Sequence, residues 1–391
     1  MSTQSQIKTE AQKNLEVLKK HLTGVILPAW MERGWDETHG GFCEKLEGDG
    51  KPVDVGFRRL HATTRQLFVF SEWSRLWNQA DCTRLAHKTY DYLMKCYWDQ
   101  KSEGWVAKVD TQGNPSDYNH ELYGTAFVIF ALARYGKIFS NKKAIETAHQ
   151  TMSMVQKHMK HPAKGFFTAT DRDWKGLSND IDQNPHMHLF EALQALNAAG
   201  PTDESIALEN SLAEIMATVF YDKQAGVVRE HFDNTGKSHA EKGHVVEAGH
   251  QFEWYWLAQG ASNKPYQKTL APLVGKMYEW GVKYGIDQVN GGVYDVNHID
   301  GHVTQSTKRI WPTTEFIRAA ACRWKKEGDE QALVQMNQQL EVLNKSFMSP
   351  QGWNEALDEK MKPIRSDMPV TTSYHMTTCY LDSVAMLGHD L

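Results

Sequence analysis

The chain has 391 residues, 41% of them hydrophobic and 23% charged, and its net charge of −5 is spread along the whole length. Such a composition excludes a disordered chain, and the lack of any basic block argues against a nucleic-acid or anionic-membrane partner. No apolar run is long enough to predict a membrane-spanning helix.

The N-terminus, MSTQSQIKTEAQKNLEVLKKHL, is polar and then amphipathic, without the apolar centre of a signal peptide. The five cysteines (Cys43, Cys82, Cys96, Cys322 and Cys379) are scattered and form no CxxC pair, which points away from a disulfide framework or a zinc ribbon. A cytoplasmic protein is the expectation. Further along, a glycine followed by an apolar or aromatic residue recurs in DETHGGF, DQKSEGW, KHPAKGFF, YDKQAGVV, DQVNGGVY and MSPQGW. The glycines are Gly41, Gly104, Gly165, Gly226, Gly292 and Gly352, spaced by 63, 61, 61, 66 and 60 residues. Near-constant spacing of this kind marks an internal repeat.

Between the signatures the pattern is helical. TTRQLFVFSEWSRLW, RLAHKTYDYLMKCYW, GTAFVIFALARYGKIF, KAIETAHQTMSMVQKHM, HLFEALQALNAA, ESIALENSLAEIMATVFY and TTEFIRAAACRWKKEG each carry apolar residues at three- and four-residue spacing. Each repeat therefore supplies two helices, and the signature itself reads as a hairpin-like turn in which glycine accepts positive φ. Six helix pairs can stay open as a solenoid, whose ends need polar caps, or close into a ring. The closed form, an all-α (α/α)6 barrel spanning residues 1–391 as one domain, is the predicted fold. Its inner-helix ends and glycine loops would line one central pocket.

Residues with chemical potential follow in chain order. Arg65 lies on an otherwise apolar helix face with Leu60, Leu67 and Phe68, where a charge is costly unless it has a polar partner or faces a pocket. Tyr118 and His120 are further polar groups in DYNHELYG. In NPHMHLFE, Asn184 and His188 are four apart and His188 and Glu191 three apart, so these share a helix face while His186 points elsewhere. GHQFEWYW repeats the arrangement with His250 and Glu253, and Glu247 lies three residues before His250. Trp311 with Glu315, and Trp353 with Glu355, add aromatic and carboxylate groups, and His375 opens the last predicted helix in TTSYHMTTCY.

Several chemistries can be tested against this set. Glu247-x-x-His250 has the order of a di-iron helical site, but the run at 188–191 is only His-x-x-Glu and no HExxH occurs. TGKS at 235–238 imitates the end of a phosphate loop, yet His231 stands where the earlier glycine is required. There is neither GxGxxG after a strand nor GxSxG. A glycosidase needs two opposed carboxylates, and glutamates are available for it. Several histidines, one arginine and no predicted metal or cofactor suit proton transfer beside a carbonyl better. A cation such as Arg65 can stabilise the enediolate, and the glutamates can orient the imidazoles.

The ordered set NPHMHLFEA, GHQFEWYWL, KRIWPTTE and YHMTTCY resembles the N-acylglucosamine 2-epimerase superfamily, which includes cellobiose 2-epimerases, aldose–ketose isomerases and mannose isomerases. The resemblance runs from HLTGVILPAW to the final helix and carries the same (α/α)6 barrel. It implies that His250 and His375 are the acid/base histidines. Arg65, Asn184, His188 and Glu253 would bind the sugar, with Glu253 orienting the central histidine and Trp311 and Trp353 in the pocket. His375 would take the C2 proton; return at C1 gives a ketose, and return at C2 from the other face gives the epimer. RRLHATTRQLFVF looks most like the mannose isomerase branch, which implies interconversion of free D-mannose and D-fructose, with D-lyxose and D-xylulose as a further pair. A 2-epimerase is the alternative and a glycosidase on the same barrel a more distant one. A monomer and a homodimer are both compatible with the sequence.

Overall fold

The computed structural model describes residues 3–260 and 264–388. Among the described residues thirteen α-helices follow one another: α1 (Thr3–His21), α2 (Leu27–Ala29), α3 (Leu60–Trp77), α4 (Ala80–Cys96), α5 (Leu122–Ile138), α6 (Lys142–His158), α7 (Gln183–Ala199), α8 (Asp203–Ile215), α9 (Ala248–Gly260), α10 (Gln267–Trp280), α11 (Ile310–Glu327), α12 (Glu330–Val342) and α13 (Thr372–Leu387). The odd-numbered helices from α3 to α13 form an inner ring in chain order, and α13 packs back on α3 to close it. Outside them lie α4, α6, α8, α10 and α12, each packed on the inner helix before it. The sixth outer helix is α1, which packs against α12 and α13. The expected (α/α)6 barrel is therefore present, and the first helix of the chain completes the last pair.

Patterning explains which helix goes where. The inner α5, LYGTAFVIFALARYGKI, is apolar nearly all round and buried along most of its length, as a helix covered on both sides must be. The outer α4 buries one stripe, including Cys82, Leu85, Ala86, Leu93 and Cys96, and turns its charges to solvent. Side-chain caps occur on the outer helices α6 (Asn141), α8 (Thr202, with Ser205 in a capping box) and α12 (Asp329). The inner helices α3, α5, α7, α11 and α13 have none.

All six glycine signatures form a tight antiparallel contact. Trp35 pairs with Phe42, Trp98 with Trp105, Lys160 with Phe166, Tyr221 with Val228, Ile286 with Val293 and Met348 with Trp353. At Gly41 the turn needs a φ of 81°, which only glycine adopts freely. The second copy differs: positive φ falls on Glu103 instead, and Gly104 serves close packing, since a Cβ there would meet the His120 ring at 2.7 Å. A second repeated device is an aspartate that accepts two backbone N–H groups across a turn. Asp110, Asp171, Asp233 and Asp358 each do so. The TGKS run is one of these turns, with Asp233 Oδ1 accepting from Thr235 and Lys237 at 2.8 and 3.0 Å. No described helix is long and apolar enough to cross a membrane.

Candidate active site

The N-terminal ends of the six inner helices converge on a cavity of about 400 Å³. Each helix contributes from its first two turns or the residue just before: His61 and Arg65 from α3, Tyr123 from α5, Asn184 and His188 from α7, Glu247, His250 and Glu253 at α9, Trp311 from α11, and Thr372 and His375 from α13. The loops add Arg59, Arg309, Glu355, Arg365 and Pro369 around the mouth. Convergent helix N-termini give the floor a positive bias, which favours negative charge developing on a bound molecule.

Three histidines are each anchored through Nδ1 to a buried carboxylate. His188 donates to Glu191 Oε2 at 3.0 Å, His250 to Glu230 Oε2 at 2.9 Å and His375 to Glu315 Oε1 at 2.8 Å. Because Nδ1 is used in each case, Nε2 is the nitrogen left for chemistry. The carboxylates are held in turn. Glu191 accepts from Tyr374 Oη, and Glu230 from Gln183 Nε2 at 2.8 Å. Glu315 accepts from Arg318 Nη1 at 2.8 Å and Trp256 Nε1 at 2.9 Å. Trp311 lies against both outer members of the trio, its ring 5.0 Å from that of His250 and 5.8 Å from that of His375.

The two imidazoles beside Trp311 differ in protonation. Burial opposes a charge on His250, but Glu230, Glu247 and Glu253 outweigh it and push its pKa up to about 9. Burial, with Arg65 and His188 adding to it, pulls His375 down to about 4 despite its bond to Glu315. At neutral pH the cavity thus presents one imidazolium and one free imidazole, the combination that an acid/base pair needs. Burial and the nearby Glu315 and Glu191 carboxylates push Glu253 well above the usual carboxylate range.

Arg65 makes no ion pair among the described residues. Its guanidinium sits among Tyr123, Phe127 and Tyr374, donates from Nη2 to Tyr123 Oη at 2.7 Å, and leaves a buried Nε without a partner. A cation so enclosed is available to a ligand oxygen. The mouth arginines differ: Arg59 is paired with Glu44, Arg309 with Asp295 and Glu247, and Arg365 with Asp367.

Of the residues singled out in the sequence, Arg65, Asn184, His188, His250, Glu253, Trp311 and His375 all reach this cavity. Two expectations need correction. Trp353 does not line it: the ring is 1% exposed, stacked 6.3 Å from Trp30, with its indole N–H on Glu355 Oε2 at 3.0 Å. The equivalent residue of every repeat (Phe42, Trp105, Phe166, Val228 and Val293) is buried too, so the position belongs to the repeat's core. Nor does Glu253 orient the central histidine. That partner is Glu230, while Glu253 lies 3.9 Å from His188 Nδ1 and its Oε1 is buried without a hydrogen bond. His186 faces away, as helical geometry requires, and accepts the Phe166 N–H at 2.9 Å. His120 is likewise outside, bonded to the Trp105 carbonyl at 2.8 Å and stacked on Trp174, and Tyr118 lies on the surface under Arg172. Sequence reasoning missed Tyr123 and Glu230. Tyr123 looks like part of an apolar run, and Glu230 lies in a loop twenty residues from its histidine.

Three described groups bring ligand atoms within 4.8 Å: His188, Glu191 and Glu253; Glu230, Glu247 and His250; and the surface set His298, Asp300 and His302. In the first two the imidazole is already bonded to a carboxylate. In the third, Asp300 Oδ1 caps its own turn through the His302 N–H at 3.1 Å.

The profile of the family described as N-acylglucosamine 2-epimerase (GlcNAc 2-epimerase) matches residues 40–379. The chain belongs to that family. Among curated relatives, a mannose-6-phosphate isomerase of Rhizobium meliloti is 29% identical over 304 residues, covering 76% of this chain and 77% of the relative. A D-mannose isomerase of Marinomonas mediterranea is 26% identical over 310 residues, covering 75% and 77%. Among solved structures, a cellobiose 2-epimerase from Spirochaeta thermophila superposes with a TM-score of 0.89 at 19% identity, covering 99% of each chain. These similarities make the protein a member of a family of sugar epimerases and isomerases on an (α/α)6 barrel.

Proposed function

We propose that the protein is an aldose–ketose isomerase interconverting D-mannose and D-fructose, with D-lyxose and D-xylulose as a second pair. The observation that carries this reading is the pair of a protonated His250 and a neutral His375 under Trp311. With the sugar open, His375 Nε2 takes the proton from C2 while the His250 imidazolium protonates O1, giving an enediol. His250 then takes the O2 proton and His375 returns its proton to C1, so that the aldose becomes a ketose and both histidines regain their starting states. Arg65 and the converging helix ends stabilise negative charge on the oxygens in between. Glu191, Glu230 and Glu315 fix the rings and tautomers.

A neutral sugar is favoured over a phosphorylated one because each mouth arginine is already paired with a carboxylate. A 2-epimerase is the second reading: a protonated His250 could also deliver a proton to carbon from the face opposite His375. Incubation with D-mannose and EDTA in deuterated water, followed by NMR, separates the two. Fructose is expected, with deuterium at C1 in proportion to the exchange of the His375 proton with solvent. Glucose deuterated at C2 without fructose would replace the isomerase by the epimerase. No change in any free aldose, with reducing ends released from an oligosaccharide, would overturn both.

A further inference from the structure

Four acidic residues occupy corresponding places just after the glycine hairpins: Glu44, Glu230, Asp295 and Glu355. Each sends its side chain to the segment leading into the next inner helix. Glu44 accepts from the backbone N–H and Nε of Arg59 at 2.6 and 2.7 Å, and Asp295 from the same two groups of Arg309, both at 2.9 Å. Glu230 takes the Glu247 N–H at 3.2 Å and His250 at 2.9 Å. Three of the four are thus matched by a cation. In the last repeat the residue at the arginine's place is Pro369, which pairs in the lead-in strand before α13 as Arg59 and Arg309 do before α3 and α11.

Glu355 is left with neutral donors alone. Trp353 Nε1 and Thr372 Oγ1 both bond its Oε2, at 3.0 and 2.8 Å, and Oε1 has no hydrogen-bond partner among the described residues. The side chain lines the active cavity and is 7% exposed. We infer that Glu355 is a specificity-determining residue whose free Oε1 accepts a hydrogen bond from a sugar hydroxyl on a carbon remote from C1 and C2. Neutral donors already hold its other oxygen, so Oε1 is the atom left to meet a ligand, and burial pushes the carboxyl pKa up to about 7. Its position in the mouth loop, against histidines carried on the helices, places the contact at the non-reacting end of the substrate. This inference rests on the sugar-isomerising function proposed above.

The test compares wild type, Glu355→Gln and Glu355→Ala on D-mannose, 4-deoxymannose and 6-deoxymannose, with binding of D-mannitol, a non-reacting polyol, read by tryptophan fluorescence. Glu355→Ala should raise KM for mannose roughly ten- to a hundredfold, with kcat within about threefold, as leaving a buried sugar hydroxyl unpaired predicts. Glu355→Gln, which keeps an acceptor oxygen, should lose less than about tenfold. One deoxy sugar should be penalised in wild type and not in Glu355→Ala. An unchanged KM in Glu355→Ala, or an equal loss on all three sugars, overturns the assignment while leaving the isomerase reading intact. If mannitol binds wild type and weakens about tenfold in Glu355→Ala although no aldose turns over, the contact survives and the isomerase reading falls. Wild type that neither turns over an aldose nor binds mannitol overturns both.

Discussion

His250 and His375 look alike as local structures: each is buried, each lies near the start of an inner helix, and each donates Nδ1–H to a glutamate at 2.9 or 2.8 Å. Their surroundings separate them. Three carboxylates gather around His250, and Gln183 and a backbone N–H are Glu230's only other donors among the described residues, so much of its charge acts on the ring. Glu315 instead divides its charge between His375, Trp256 and Arg318, and Arg318 passes on to Asp382 at 2.7 Å. Arg65 adds a repulsive cation on the His375 side. One His–Glu pair therefore yields an acid and the other a base, because what the glutamate does elsewhere decides how much it offers the histidine.

The largest break in this comparison comes from removing either ring. His375→Asn and His250→Asn should each lower kcat by roughly a thousandfold, in line with the weight of a positioned acid or base, with a circular dichroism spectrum like that of wild type. A variant within tenfold of wild type would remove that histidine from the proton transfer. A smaller and more informative effect is expected from Glu230→Gln. Wild-type kcat/KM should be bell-shaped, with an acid limb set by His375 near pH 4 and an alkaline limb set by His250 near pH 9. Without the Glu230 charge the alkaline limb should move down by roughly a unit or more, towards the ordinary imidazole range, and the acid limb should stay. A shift of the acid limb instead would reverse the two roles.

How much of this could be read beforehand depends on the distance over which each contact acts. The helix pairs and the hairpins follow from short-range patterns and the spacing of six glycines, and the structure bears them out. The place of α1 does not follow, because its partners α12 and α13 lie at the other end of the chain. Helical spacing separates His188 from His186, since both act within two turns. Glu230 and the charge states cannot be read this way, because they depend on loops and on which carboxylates meet in the ring. Trp353 shows the opposite error: a pocket role was expected of a tryptophan whose place in the repeat already marked it as core.

The smallest effect expected is on stability, and its sign differs for the two histidines. The pKa of His250 is raised to about 9 from an ordinary value of 6.5, so its protonated form stabilises the fold fully below pH 6.5. That contribution is lost as pH rises from 6.5 through 9. The pKa of His375 is lowered to about 4, so between pH 6.5 and 4 the unfolded chain takes a proton that the folded one refuses, and stability falls as pH falls. Thermal midpoints at pH 6.5 and 9 should therefore drop by a few degrees more in wild type than in His250→Asn. Between pH 6.5 and 4.5 the corresponding excess loss should disappear in His375→Asn. Parallel midpoint curves for wild type and His250→Asn across the alkaline window would mean that His250 is not held protonated by its three carboxylates, and the contrast between the two pairs would fall with it.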